Sequence, residues 1–232
     1  MQLTARDVSR FFNVSESTVT RWINHRGLPA RRVNGQPRFN RFELLEWATV
    51  NRIKFSVDVF DKLEAEDEPG PSLVDALAAG GIHDNLEGTN KDRSLRALVE
   101  VLPLPQEVDR ELLTRLFLAR EASATTAIGD GIAVPHVRNP IVLHVDRPIV
   151  TLCYLEHPVD FGALDGKPVH VLFSLICPTV RGHLRMLSRL SFALHDPMFK
   201  GAVLGHAGRD QILREASRVE AGLAASTAPA GK

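Results

Sequence analysis

Gly129-Asp130-Gly131-Ile132-Ala133-Val134-Pro135-His136 is a histidine set at the end of a short apolar run by two glycines and a proline. Glycine tolerates backbone angles closed to other residues, and Pro135 fixes its own φ while pushing Val134 extended. His136 should therefore leave a short strand in one imposed direction. A histidine held that way suits a nucleophile, and a strand-turn junction with an ordinary polar histidine fits the same eight residues. Outward from it, residues 149–155 and 169–176 are apolar, β-branched runs suited to buried strands. Leu164-Asp165-Gly166-Lys167 signals a turn between them, and residues 181–194 carry the helical period. This is α/β material.

Upstream, residues 73–79 start a helical pattern closed by Gly80-Gly81, and residues 82–86 read as a short extended piece. Residues 90–102 form a helix with Leu95, Leu98, Val99 and Leu102 on its apolar face, stopped by Pro103 and Pro105. A further helix is expected over residues 106–121, with Leu112, Leu113, Leu116 and Leu118, ending in Arg120-Glu121. The Ala, Ser, Pro and Gly tail after Leu223 is expected to be disordered.

A chain of 232 residues predicts two unequal domains, and 44% hydrophobic with 24% charged residues is ordinary for soluble globular material. No apolar run approaches the length of a membrane span, and the polar, charged N-terminus does not read as a signal sequence, so the expectation is a cytoplasmic protein without membrane insertion. Cys153 and Cys177 sit in apolar strand-like runs without a metal-type spacing and read as reduced core residues. Zero net charge hides an asymmetry. Through Phe60 there are ten Lys or Arg against five Asp or Glu, and beyond it eighteen against twenty-three. A basic N-terminal block can meet nucleic-acid phosphates, although a solvated basic surface gives the same balance.

Within that block, Thr4 can cap a helix over residues 5–12 that buries Val8, Phe11 and Phe12. After a turn at Asn13-Val14, Ser15 caps a second helix to about His25, with Val19, Trp22 and Ile23 inward and Ser17, Thr18, Arg21 and His25 outward. Residues 31–39 hold an Asn-Gly turn between extended basic flanks, the signal of a hairpin wing. A third helix over residues 41–51 supplies Phe42, Leu45 and Trp47 or Ala48 to a small core.

This quarter of the chain, LTARDVSRFFNVSESTVTRWINHRGLPARRVNGQPRF followed by RFELLEWA, resembles the winged helix-turn-helix domains of excisionase and MerR-like proteins. The resemblance implies DNA as a partner, with the second helix in the major groove. Ser17, Thr18 and Arg21 would then reach base edges, and Arg32 and Arg38 on the wing would meet backbone phosphates. One small domain makes few contacts, so tight binding would call for dimerisation or cooperativity.

The remainder resembles the type-2 enzyme IIA domains (fructose, mannitol and nitrogen-type) of the bacterial phosphoenolpyruvate-dependent phosphotransferase system, or PTS. Four blocks carry this: Arg120-Glu121, Thr125 through His136, Asp165 through Val169, and His183 through Leu190. The resemblance implies an α/β fold with a mixed sheet flanked by helices, and a reactive histidine in a shallow depression where a partner docks. It implies His136 as the phosphorylated histidine, with His183 and Arg120 beside it and Thr125 or Thr126 donating a hydrogen bond. The partners implied are a histidine-phosphorylated, HPr-like carrier protein and a downstream IIB-type or regulatory protein, with no metal or other cofactor. Ala127 and Asp130 stand where the family more often has glycine and asparagine, and Asp130 brings a negative charge near an anion site.

The expected organisation is residues 1–55 as the DNA-binding domain, 56–71 as an acidic hinge, 72–222 as the IIA domain and 223–232 as tail. Taken singly, Arg120 also reads as a helix C-terminal cation and His183 as a solvated helix residue. His144, His157, His170, His195 and His206 lack the spacings of zinc or iron sites. The favoured reading is a phosphocarrier coupled to DNA binding. Its alternatives are a DNA-binding regulator with a degenerate, non-transferring IIA-like domain, and an active phosphocarrier whose winged domain is a protein-docking arm.

Overall fold

The computed structural model describes residues 3–33, 35–55, 72–137 and 145–227. The chain divides into two compact units, Met1–Glu68 and Pro69–Lys232. The expected hinge at 56–71, His144 and residues 228–232 lie outside the described residues.

In the first unit, β1 (Leu3–Thr4) leads into α1 (Ala5–Phe12) through a reciprocal cap. The Thr4 hydroxyl accepts from the Asp7 amide at 3.2 Å while the Asp7 carboxylate accepts from the Thr4 amide at 2.8 Å. Asn13, at φ 52°, ends α1, and Ser15 caps α2 (Glu16–His25) by accepting from the Thr18 amide. A hairpin of β2 (Arg31–Val33) and β3 (Gln36–Phe39) follows, then α3 (Arg41–Val50). The antiparallel sheet runs β1-β3-β2; β1 is an addition to the expected plan. An aromatic core closes the unit: Trp22 lies 5.4 Å from Phe12 and 5.3 Å from Trp47 between ring centroids, and the Trp47 indole donates to the Arg26 carbonyl at 2.9 Å. Ile23 and Phe42, expected in this core, are only half-buried, and Leu44 is buried beside Leu45.

In the second unit a five-stranded mixed sheet runs β4-β7-β8-β6-β5, from β4 (Ile82–Leu86), β5 (Ala127–Gly129), β6 (Ile132–Ala133), β7 (Ile149–Val159) and β8 (Val169–Ile176). The β4–β7 and β6–β8 pairs are parallel, and β5–β6 and β7–β8 antiparallel. Helices α4 (Leu73–Gly80), α5 (Lys91–Val101) and α6 (Arg110–Ser123) precede the central strands, and α7 (Val180–His195), α8 (Pro197–Leu204) and α9 (Arg209–Thr227) follow β8. Leu95, Leu98 and Phe117 from α5 and α6 pack with Cys153, Leu172 and Ile176 on one face of the sheet. Both cysteines are free and buried, and burial pushes each thiol up to about 12.

Three expectations change. The helix placed over 106–121 begins only at Arg110, because Asp109 caps it by accepting from the Leu112 amide and residues 105–108 turn instead; this leaves Leu112 exposed. β7 continues four residues beyond Leu155. The backbone stays helical to Thr227, past the expected start of the tail. No helix among the described residues is long and apolar enough to cross a membrane.

Candidate functional site

The turn between β5 and β6 takes three successive positive φ angles: Gly129 at 84°, Asp130 at 53° and Gly131 at 76°. At Gly131 a Cβ would stand 2.3 Å from the His170 ring, so both backbone angle and space require glycine. β6 then runs parallel to β8 with Ile132 opposite Val171, and the pairing reaches His136 opposite Leu175. Alternation along this segment decides where the histidine goes. Ala133 and Val137 belong to the apolar cluster with α5 and α6, so Val134 and His136 face the other side of the sheet. There α7 begins, capped by Thr179, and its first turn carries His183. The His136 and His183 rings lie 5.2 Å apart between centroids at 49°.

His136 Nδ1 is 2.7 Å from the Val134 carbonyl oxygen. A carbonyl only accepts, so Nδ1 carries the hydrogen and the lone pair of the neutral ring sits on Nε2. Both rings are buried, His136 at 3% exposure. Where the resemblance implied a reactive histidine in a shallow depression, the ring is buried, held between the sheet and the start of α7.

Arg120, in the last turn of α6, is also buried, and its Nη1 donates to the Ala124 carbonyl at 2.7 Å. Thr125 and Thr126, expected to donate to a phosphoryl group, donate within the fold. The Thr125 hydroxyl bonds the Phe161 carbonyl at 2.7 Å, and the Thr126 hydroxyl bonds Glu121 at 2.6 Å. A hydroxyl has one hydrogen to give, so neither offers it to a ligand in this arrangement. Glu121, quoted in the motif but given no role by it, is buried. It also accepts from the Thr126 amide at 3.0 and 3.3 Å and lies 3.7 Å from Lys91 Nζ. Burial pushes its carboxyl above the ordinary value, against the opposing pull of the Thr126 bonds and of Lys91.

Asp130, expected to bring a negative charge near the anion site, is six residues before His136 in the chain. It sits at the turn, and the run from Ile132 to His136 alone spans roughly 13 Å at strand rise. Its carboxylate pairs with Lys167 at 3.1 Å and with Lys200, while its amide donates to Asp165 at 2.7 Å. Lys167 and Lys200 are partners of Asp130 that spacing alone does not reveal, because one comes from the β7–β8 turn and the other from α8.

In the first unit Ser17, Thr18 and Arg21 share one face of α2, and Ser17 and Arg21 are exposed. The Ser17 and Thr18 hydroxyls pair with the cap Ser15 at 2.8 and 3.0 Å. On the hairpin, Arg32 is exposed with Nη1 3.4 Å from the Gly35 carbonyl, and Arg38 reaches Gln36 at 3.1 Å. Arg31, not singled out from the sequence, lies opposite the half-buried Arg38 and is exposed, as Arg32 is.

A mixed-sheet domain carrying paired histidines, preceded by a helix-turn-helix unit, defines a two-part protein of the enzyme IIA class. Residues 76–217 match the family model described as "Phosphoenolpyruvate-dependent sugar phosphotransferase system, EIIA 2", and residues 3–52 match "Helix-turn-helix domain". The chain belongs to the EIIA 2 family. A nitrogen regulatory protein of Pseudomonas aeruginosa is 35% identical over 137 residues, which cover 57% of this chain and 80% of that one. The fructose-specific EIIABC component of the PTS of Bacillus subtilis is 29% identical over 144 residues, 61% of this chain and 22% of that one. The crystal structure of nitrogen regulatory protein IIA-Ntr from Neisseria meningitidis shares the fold at a TM-score of 0.54 and 24% identity, covering 62% of this chain and 98% of that one.

Proposed function

We propose that the second unit is a phosphocarrier that takes a phosphoryl group on His136 Nε2 from a histidine-phosphorylated, HPr-like protein and passes it to a IIB-type or regulatory protein. The observation that carries this reading is the bond from His136 Nδ1 to the Val134 carbonyl, with the His183 ring 5.2 Å away. It fixes the tautomer in which Nε2 is the nucleophile. Phosphoryl transfer is mostly positioning and charge stabilisation, so His183 as a hydrogen-bond donor and Arg120 as a cation are the groups assigned to the equatorial oxygens. In-line transfer requires both nitrogens to reach one phosphorus, so acceptance passes through a state in which the buried His136 ring is uncovered. The setting proposed is the cytoplasm, where phosphoenolpyruvate and the general transfer proteins act. Incubation with phosphoenolpyruvate and those proteins is expected to add one phosphoryl group to the intact chain and none to His136→Ala. A label that survives the substitution overturns the assignment.

The first unit is proposed to bind DNA, with Ser17, Thr18 and Arg21 at base edges and Arg32 and Arg38 on phosphates, coupling phosphorylation to transcription. A phosphoryl group adds about two negative charges at His136 as the signal. One observation favours a second reading, a regulator whose IIA domain no longer transfers: His136 is nearly sealed, and the Thr125 and Thr126 hydroxyls are bonded within the fold. Retained DNA binding with no phosphoryl uptake is its signature.

A further inference from the structure

A hydrogen-bonded chain leads from α6 to the imidazole. Glu121, at 4% exposure, receives the amide and the hydroxyl of Thr126. The Thr126 carbonyl accepts from the Val134 amide at 3.0 Å. The Val134 carbonyl in turn accepts from His136 Nδ1 at 2.7 Å. Every group in the chain is buried, where hydrogen bonds are strengthened by low dielectric and polarise one another.

We infer that Glu121 is a positioning residue for His136, acting through Thr126 and the Val134 peptide to hold the imidazole in the tautomer that leaves Nε2 unprotonated. The functional consequence rests on the phosphocarrier reading; the tautomer itself does not. A carboxylate is an expensive group to bury, and an apolar side chain would close α6 onto β5 at lower cost. What the carboxylate adds is the capacity to accept two donors from one residue. This fixes Thr126 in rotation as well as position, and with it the direction in which its carbonyl meets the Val134 amide. Val134 carries both ends of the next link, since its N–H and C=O lie on one residue kept extended by Pro135. Lys91 supplies the compensating charge at 3.7 Å without entering the chain. Because the signal passes through backbone groups, no residue pattern near His136 announces it.

The test uses the full chain labelled with 15N-histidine, whose long-range 1H–15N correlations distinguish the Nδ1–H from the Nε2–H ring. The wild type is expected to show His136 as Nδ1–H. In Glu121→Ala and in Thr126→Val the single pattern is expected to give way to a tautomer mixture, and phosphoryl acceptance to fall roughly 10- to 100-fold, the scale of a small misplacement of a reacting group. Thr126→Ser, which keeps the hydroxyl, is expected to restore both. A clamp that merely fastens α6 to β5 would leave the tautomer unmoved, so an unchanged Nδ1–H pattern in folded Thr126→Val overturns the inference. Should Glu121→Ala not fold, Thr126→Val decides. Tautomer shifts in the variants, together with a wild type that accepts no phosphoryl group, would uphold the positioning role and reject the phosphocarrier reading.

Discussion

At the scale of single residues, chemistry is set by what the site's neighbours take up. His136 has its Nδ1 engaged by a carbonyl, and Asp130 has its charge countered by Lys167 and Lys200. Glu121 is the residue whose titration reports on the site. Burial raises its carboxyl pKa above 4.5, so the folded chain binds that proton more tightly than the unfolded chain. The stability it contributes is therefore complete below the ordinary carboxylate value and declines as pH rises through the folded one. Urea unfolding of wild type and Glu121→Gln between about pH 4 and 7 is expected to show a wild-type advantage that shrinks with rising pH; a growing advantage would reverse the sign argued here. At Gly131, where φ is 76° and a Cβ would strike the His170 ring, Gly131→Ala is expected to cost more than about 1 kcal/mol in the same measurement. The pairing of His136 with His183 was legible from the sequence because each sits in a contiguous motif block. Their burial was not, since it depends on how α7 seats against the sheet, a contact between segments more than forty residues apart.

At the scale of elements, local signals determined most of the outcome. Thr4 and Ser15 were readable as caps because a hydroxyl before an apolar-periodic run satisfies amides the helix cannot. The run at 169–176 was readable because a strand buried on both faces has no polar alternation. The start of α6 was misjudged: the helix was expected from residue 106, whereas the Asp109 carboxylate caps it and it begins at Arg110, four residues later. β1 escaped notice because two residues carry no period; it exists only by pairing with β3. Thr4→Ala, which removes one partner of the capping box, is expected to destabilise the first unit by about 1 kcal/mol, read from its thermal unfolding. The Thr4 hydroxyl and amide, with smaller help from Arg10 and Arg41, hold the Asp7 carboxyl below its usual range. That contribution is present above pH 3.8 and lost as pH falls through the folded value, and a transition indifferent to acid in this window would contradict it.

At the scale of the whole molecule, the basic excess belongs to residues 1–60 of the first unit, with ten Lys or Arg against five Asp or Glu; residues 61–68 add five acids and one lysine, so that unit as a whole is near neutral, as is the second. If the first meets DNA phosphates, affinity falls with salt in proportion to the phosphates neutralised. Arg32→Ala or Arg38→Ala is then expected to reduce the slope of log K against log salt by about one, and an unchanged slope would remove that arginine from the interface. Belonging to the EIIA 2 family sets the fold, whereas the proposed transfer would depend on a single ring nitrogen. The account stands most directly on 31P–1H correlation NMR of the full chain after reaction with phosphoenolpyruvate and the general transfer proteins. It predicts one phosphohistidine, bonded through Nε2 of His136; a phosphoryl group on Nδ1, on another residue, or on none would contradict it.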